Sequence, residues 1–334
     1  MKIDLVYLWV DGSDEKWLAK KNAVLQSLGR TPAKSSISAK RWTDHDELKY
    51  SLRSVEKFAN WVNHIYIITD GQTPKWLNLQ NPRVSVISHS EIIPSEYLPT
   101  FNSTAIEFWL HKIPNLSEYF LYANDDMFFG KPLTPNFFFD DNGNPIVIFK
   151  ERDNSPAFAD KSTLGEWKKT KWNALKIIEK HFCLKYNISF KHAVEPIRKS
   201  YFQENSQEFF DEIITPSMTP FREKQNVQRM VFPMIDNAKK RNSIVLNWRT
   251  DEKRIVYDVK TDNKIRLISH KVFWLFATIF GFVKYDCYDK QWQIILFLKK
   301  YRPSLFAIND SNGCFDKKAN FLNEMFINKS EFEI

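Results

Sequence analysis

Four short apolar runs punctuate the first 130 positions, and three of them close on acidic turn residues. Ile3-Asp4-Leu5-Val6-Tyr7-Leu8-Trp9-Val10 leads into Asp11-Gly12, and His64-Ile65-Tyr66-Ile67-Ile68-Thr69 into Asp70-Gly71. Arg83-Val84-Ser85-Val86-Ile87-Ser88 is a third run, and Tyr119-Phe120-Leu121-Tyr122 ends in Asn124-Asp125-Asp126. Short apolar runs bounded by turn residues read as buried β-strands. Between them, Leu48, Leu52, Val55 and Phe58 recur at helical spacing from about Asp44 to Phe58. Asp44 and Asp46 near its start suit a helix N-terminus. Ser103 to Lys112 also reads as helical. Strands alternating with helices predict an α/β fold with a parallel or mixed sheet. In open sheets of this kind ligands bind beyond the carboxyl ends of the strands, so Asp11, Asp70 and Asp126 are expected to face one site.

The pattern changes near residue 150. Glu166 to Phe182 and Val272 to Tyr301 read as helices, separated by connections near Pro196, Pro216, Pro220 and Pro233. Thr250 to Ile268 predicts a hairpin about Asp262-Asn263. The expected organisation is an α/β core over 1–150 and a helix-rich part over 151–334 that completes the site. The boundary is soft, and a single integrated domain is the other reading. Neither an internal repeat nor a low-complexity segment is visible.

At 334 residues the chain can bury a large core, and 43% hydrophobic with 26% charged residues excludes a mainly disordered protein. The net charge of +8 suits an anionic partner such as a nucleotide, a phosphorylated glycan or an acidic membrane; a solvated basic surface explains it equally well. The 15% aromatic content fills cores and also builds sugar-stacking platforms. No basic arm, zinc-finger spacing or recognition-helix pattern is present, which disfavours nucleic acid. Three cysteines, Cys183, Cys287 and Cys314, fit a reducing compartment better than a disulfide scaffold. The N-terminus lacks the apolar region of a signal peptide. Val272 to Val283 is too short to span a bilayer and reads as a buried helix or an interfacial contact. A cytoplasmic location is expected, with peripheral contact at the inner face of the membrane permitted.

Adjacent carboxylates at a strand end, as in Asn124-Asp125-Asp126, need a cation or a donor array to neutralise them. Their oxygens suit magnesium or manganese bridging to a diphosphate; a turn or helix cap is the bland alternative. Glu107 lies in a helix that Asn102 or Ser103 could cap, and alone it reads as an ordinary first-turn acid. His192 is a lone loop histidine before Pro196, and Arg222 is similarly unsupported by local pattern. The sequence holds no P-loop, GxGxxG, GxSxG or HExxH motif.

Taken together these segments resemble the Stealth family, which includes bacterial capsule and exopolysaccharide phosphotransferases. It also includes the catalytic subunit precursor of the lysosomal-enzyme N-acetylglucosamine-1-phosphotransferase. Asp4 to Gly12 is similar to the family's opening block. The second block runs from about Arg41 to Gly130, with Glu47 to Ser54, Thr69 to Gln72, Leu98 to Ser103, Ile106-Glu107 and Tyr122 to Asp126. His192 with Pro196, Phe221-Arg222, Asn309-Asp310 and Lys329 to Glu333 look like the later blocks. The Ala193-Val194-Glu195 stretch and Phe326-Ile327-Asn328 depart from the usual pattern.

The resemblance implies a Rossmann-like, glycosyltransferase-type nucleotide-sugar-binding core. It implies transfer of hexose-1-phosphate from a UDP-hexose, UDP-N-acetylhexosamine included, to a hydroxyl of a glycan acceptor, with release of UMP. The catalytic residues it implies are Glu107, Asp126, His192 and Arg222. Asp11, Gly12, Arg53, Asp70 and Asn102 become candidates for nucleotide-sugar contact. Asn124, Asp125, Asp126 and Asp310 become candidates for holding Mg2+ or Mn2+. Two other readings stand beside this one: a metal-dependent glycosyltransferase releasing UDP, and a non-catalytic glycan-binding protein of a capsule assembly.

Overall fold

The computed structural model describes residues 1–151, 164–186, 188–190, 192–246, 256–259, 304–308 and 315–334. Four strands, β1 (Ile3–Leu8), β2 (Ile65–Thr69), β3 (Val84–Ser88) and β4 (Tyr119–Asn124), lie parallel in the order β3-β2-β1-β4. The expected α/β, Rossmann-like architecture is therefore the observed one. Strand order reverses between β1 and β4, and the crevice beyond the carboxyl ends at such a switch point is where ligands bind in open sheets.

The near-continuous apolar runs are explained by cover on both faces of the sheet. Val6, Tyr66, Ile68, Phe120 and Tyr122 point into one core, shared with Ala174, Ile177 and Ile178 of helix Glu166–Phe182. Ile3, Leu5, Tyr7, Ile65, Ile67 and Leu121 point into the other, against Leu48, Leu52 and Val55 of helix Glu47–Phe58. Asp4 is buried at the amino end of β1, where it accepts hydrogen bonds from Asn63 Nδ2 and the Ser117 amide, both at 2.7 Å. It ties the start of β1 to the segments entering β2 and β4.

In chain order the helices are α1 (Glu15–Ser27), α2 (Glu47–Phe58), α3 (His89–Ile92), α4 (Ser103–Glu107), α5 (Glu166–Phe182), α6 (Lys199–Glu208), α7 (Val231–Ala238) and α8 (Phe315–Met325). Helix α1 was not expected from the pattern. Only Trp17 and Lys21 are buried on it, so its apolar periodicity is weak, and Asp14 caps it by accepting the Trp17 amide at 2.7 Å. The helix expected over Ser103 to Lys112 closes at Glu107, and a tighter turn over Leu110–Lys112 follows. Phe108, Trp109, Leu110 and Ile113 are all buried, which a regular α-helix with one inward stripe does not allow.

The remaining strands are β5 (Met127–Phe129), β6 (Ile146–Glu151), β7 (Ile188–Phe190), β8 (Glu195–Arg198), β9 (Ser243–Leu246), β10 (Val256–Val259) and β11 (Leu305–Ile308). Strand β8 joins the main sheet antiparallel to β4, at its edge. Pro196 thus sits in an edge strand rather than a connection; an edge position tolerates the missing N–H. Pro233 lies in the first turn of α7, where the amide has no intrahelical acceptor. Strand β11 pairs with β5, and β9 with β6. The expected helix over Val272 to Tyr301 and the turn at Asp262-Asn263 lie outside the described residues, as do Cys287 and Cys314. Among the described residues no helix is long and apolar enough to cross a membrane.

Candidate active site

Two groups of polar side chains meet at the carboxyl end of β4. The strand stops at Asn124 and β5 resumes at Met127, which leaves Asp125 and Asp126 in the intervening turn. Antiparallel pairing sets Glu195 opposite Tyr122, and this register carries His192 alongside that turn. His192 Nε2 lies 3.0 Å from each carboxylate oxygen of Asp126. Asp125 Oδ1 accepts the Asp126 amide at 3.0 Å, and Asn124 Oδ1 accepts the Tyr122 hydroxyl at 2.8 Å. A ring nitrogen facing a carboxylate carries the proton, so in the neutral imidazole the basic lone pair falls on Nδ1.

The second group is built around Arg229, which is 4% exposed. Its Nε donates to Glu107 Oε2 at 3.0 Å and its terminal nitrogen to Glu195 Oε2 at 2.6 Å. The guanidinium lies 4.7 Å from the centre of the Tyr122 ring. Burial raises the Glu195 carboxyl above its ordinary range, against the pull of Arg229. Glu195 Oε1 is buried with no hydrogen-bond partner. Burial, and next the Glu107 charge, push the Tyr122 phenol up, so it stays neutral.

Arg222 approaches Glu107 from the loop before α7. It donates to Ser103 Oγ at 3.1 Å, and its Nε is buried with no acceptor. Burial lowers its pKa while the Glu107 charge opposes the shift. The structure therefore brings Glu107 and Arg222 together on one side of Tyr122, and Asp126 and His192 together at the turn beyond it.

The other expected contacts are distributed differently. Asp11 Oδ1 accepts the amide and hydroxyl of Ser13 at 2.8 and 2.6 Å, and Gln72 clasps the Asp11 backbone amide and carbonyl. Gly12 donates to the Trp42 carbonyl at 2.6 Å, and a Cβ there would collide with that carbonyl, so only glycine fits. Asp70 pairs with Lys20 at 2.8 Å. Arg53 and Asn102 do not reach the group. Arg53 grips Glu333 through Nε and a terminal nitrogen at 2.7 and 2.6 Å and the Phe326 carbonyl at 2.9 Å. Asn102 is fully buried, caps α4 at the Thr104 amide and donates to Asn226 Oδ1 at 3.0 Å. Both residues join distant segments of the chain. Asp310 lies outside the described residues.

For a cation, the carboxylates of Asp125 and Asp126 and the Asn124 amide supply hard oxygen donors of the type magnesium takes. Among the described residues no group of three His, Cys, Asp or Glu side chains is gathered for a metal. A cation held by this set would have to draw the rest of its shell from diphosphate oxygens and water.

Arg229, Glu195 and Tyr122 escape sequence reasoning as site residues. The one local sign is Arg229 set directly before Met230-Val231-Phe232, since an arginine beside an apolar run is buried only if paired.

The fold and this site define a Rossmann-like α/β protein with a carboxylate, imidazole and guanidinium cluster at its switch point. The chain carries two conserved regions of the Stealth proteins: conserved region 1 matches residues 1–29 and conserved region 2 matches residues 41–147. It is 40% identical over 232 residues to the capsular polysaccharide phosphotransferase LcbA of Neisseria meningitidis. To the capsular polysaccharide phosphotransferase fcs1 of Haemophilus influenzae it is 38% identical over 232 residues. Each match covers 69% of this chain and 63% of the relative, so the chain spans about three fifths of their length. The galactosyltransferase LgtC, solved with donor and acceptor sugar analogues, superposes with a TM-score of 0.43 at 12% identity, covering 97% of this chain and 95% of its own. That likeness bears on neither substrate nor mechanism.

Proposed function

We propose that this chain transfers a sugar phosphate from a nucleotide-sugar to a glycan hydroxyl in the synthesis of a capsular or extracellular polysaccharide. The donor is a UDP-hexose, with UDP-N-acetylhexosamine among the candidates, and the nucleotide released is UMP. The observation that carries this reading is the Asp126–His192 pair beside the Glu107–Arg222 group at one strand end. The names of the capsular phosphotransferases it resembles support the same reaction class.

The acceptor oxygen attacks the phosphorus that bears the sugar. The bond from that phosphorus to the oxygen bridging it to the UMP phosphorus breaks, and UMP leaves with the bridging oxygen. The anomeric C–O bond is untouched and the product is a phosphodiester. His192, held through Nε2 by Asp126, takes the acceptor proton at Nδ1. Charge in such transfers is spread over the phosphoryl oxygens, so positioning and electrostatics dominate. Arg222 presents a planar fork to those oxygens, and Glu107, anchored by Arg229, orients the acceptor hydroxyl. Asp125 and Asp126 with Asn124 would hold Mg2+ or Mn2+, which when bound neutralises diphosphate charge.

The test is the nucleotide product. Protein, magnesium, candidate UDP-hexoses and a capsule-derived acceptor are incubated and UMP is separated from UDP. Acceptor-dependent UMP is expected, and His192→Ala should lower its rate by about 10²- to 10⁴-fold. Release of UDP would place attack at the sugar carbon and overturn the reading. Absence of both nucleotides across donors and acceptors would favour a glycan-binding role.

A further inference from the structure

Arg41 has no assigned role, yet packing ties its segment to the one that carries Arg222. It ends a short helical turn, Ala39–Arg41, and the next residue, Trp42, receives the Gly12 amide on its carbonyl. Trp42 packs in one apolar cluster with Trp17, Phe101 and Phe221. Phe221 is the neighbour of Arg222 and stacks on Phe101 with centroids 5.2 Å apart. Ser36 Oγ donates to the Arg222 carbonyl at 2.7 Å and closes the same junction from the other side. Buried neighbours thus fix the backbones that carry Arg41 and Arg222 against each other.

Among the described residues neither guanidinium is paired with a carboxylate, although the Glu107 charge reaches Arg222. Arg41 Nε and Arg222 Nε are both buried and lack an acceptor among those residues. The nearby acids are engaged elsewhere: Glu107 and Glu195 by Arg229, and Glu223 by Arg30. Burial, and then the charge of Arg222, pull Arg41 down to about 9. Like charges held together in a desolvated place raise the energy of the free protein, and a bound anion relieves them.

We propose that Arg41 is an anion-binding residue which, with Arg222, clasps a phosphoryl group between two guanidinium forks. That the group is the diphosphate of a sugar nucleotide rests on the proposed function; that an anion binds here does not. Guanidinium forks match phosphate oxygens in pairs, which an ammonium does not.

Inorganic pyrophosphate in metal-free buffer is the probe, read by calorimetry and by melting temperature. Wild type should bind it and melt higher in its presence. Arg41→Gln should weaken binding at least tenfold, while its ligand-free protein melts no lower than wild type because a repulsion has gone. Arg41→Lys, which keeps the charge and loses the fork, should fall between them and covers the case in which the glutamine variant fails to fold. Failure of wild type to bind, or Arg41→Gln binding within twofold of it, would overturn the inference. If UMP is still produced in that case, the phosphotransfer reading survives alone. Pyrophosphate binding lost in the variant, with no UMP from any donor, would leave the anion site standing and remove the reaction assigned to it.

Discussion

Arg229 shows how one buried side chain sets the character of a site. It bridges Glu107 and Glu195 and covers Tyr122, so three residues from α4, β8 and β4 are held by a single guanidinium. Replacement by methionine keeps much of the packing and takes the guanidinium away from both carboxylates. Breaking a buried pair this way costs about 3–5 kcal/mol. The loss should depend on pH with a definite sign. Without the cation the Glu195 carboxyl, which burial already raises, moves further above its unfolded value. Stability is then fully present below the unfolded pKa and is lost as pH rises through the folded one. Urea unfolding of Arg229→Met should therefore show a larger deficit at pH 7.5 than at pH 5. An equal deficit at both would assign the role of Arg229 to packing on the Tyr122 ring.

At the level of elements, the C-terminal segment acts as a clamp on α2. Phe332 is fully buried in the core beneath the sheet, and Glu333 accepts the Arg53 fork at 2.7 and 2.6 Å. Burial works to raise the Glu333 carboxyl, but Arg53 and the Ser330 amide and hydroxyl together hold it below its usual value. A double-mutant cycle on Arg53→Ala and Glu333→Ala should give a coupling energy of about 1–3 kcal/mol, measured by urea unfolding at pH 7. Additive losses would mean that the two side chains act independently. This pair also marks where sequence reasoning stops. The strands and α2 were legible because burial on one or both faces is written into consecutive residues. Helix α1 was not, since its buried face is a tryptophan and a lysine whose ammonium lies 5.3 and 4.5 Å from the Trp17 and Trp42 ring centres. Arg53 and Asn102 are candidates through the family resemblance, and the partners the structure gives them, Glu333 and Asn226, are far away in the chain. No periodicity reports such pairings. Glu107, Asp126, His192 and Arg222 likewise carried little local signal; the family resemblance singled them out, and the structure adds the Arg229 bridge and Arg41.

Across the whole molecule, buried titratable groups pull stability in opposite directions as pH falls. His89 and His111 are buried, and burial lowers both to about 4. A depressed histidine contributes stability that is present above its unfolded value and lost as pH falls towards 4. Asp44 and Asp236 are pushed by burial up to about 6. A raised carboxyl contributes stability that is present below about 4 and lost as pH rises through 6. Between pH 4 and 6 the two pairs oppose one another. Removing one member should expose the slope that it masks, and Asp236 offers the cleanest case. It is buried, and its Oδ1 accepts a hydrogen bond from Asn205 Nδ2 at 2.8 Å, which an asparagine carbonyl at 236 can keep. Moving a carboxyl from 3.8 to about 6 corresponds to about 3 kcal/mol of pH-dependent stability. Asp236→Asn should therefore gain on wild type as pH rises from 4 to 6, by up to about 3 kcal/mol, and hold that margin above pH 7. Urea unfolding of both proteins at pH 4.5, 6 and 7.5 measures it. A difference that does not change with pH would mean that Asp236 stays ionised throughout, with Arg241 and Lys239 compensating the burial that sets it apart.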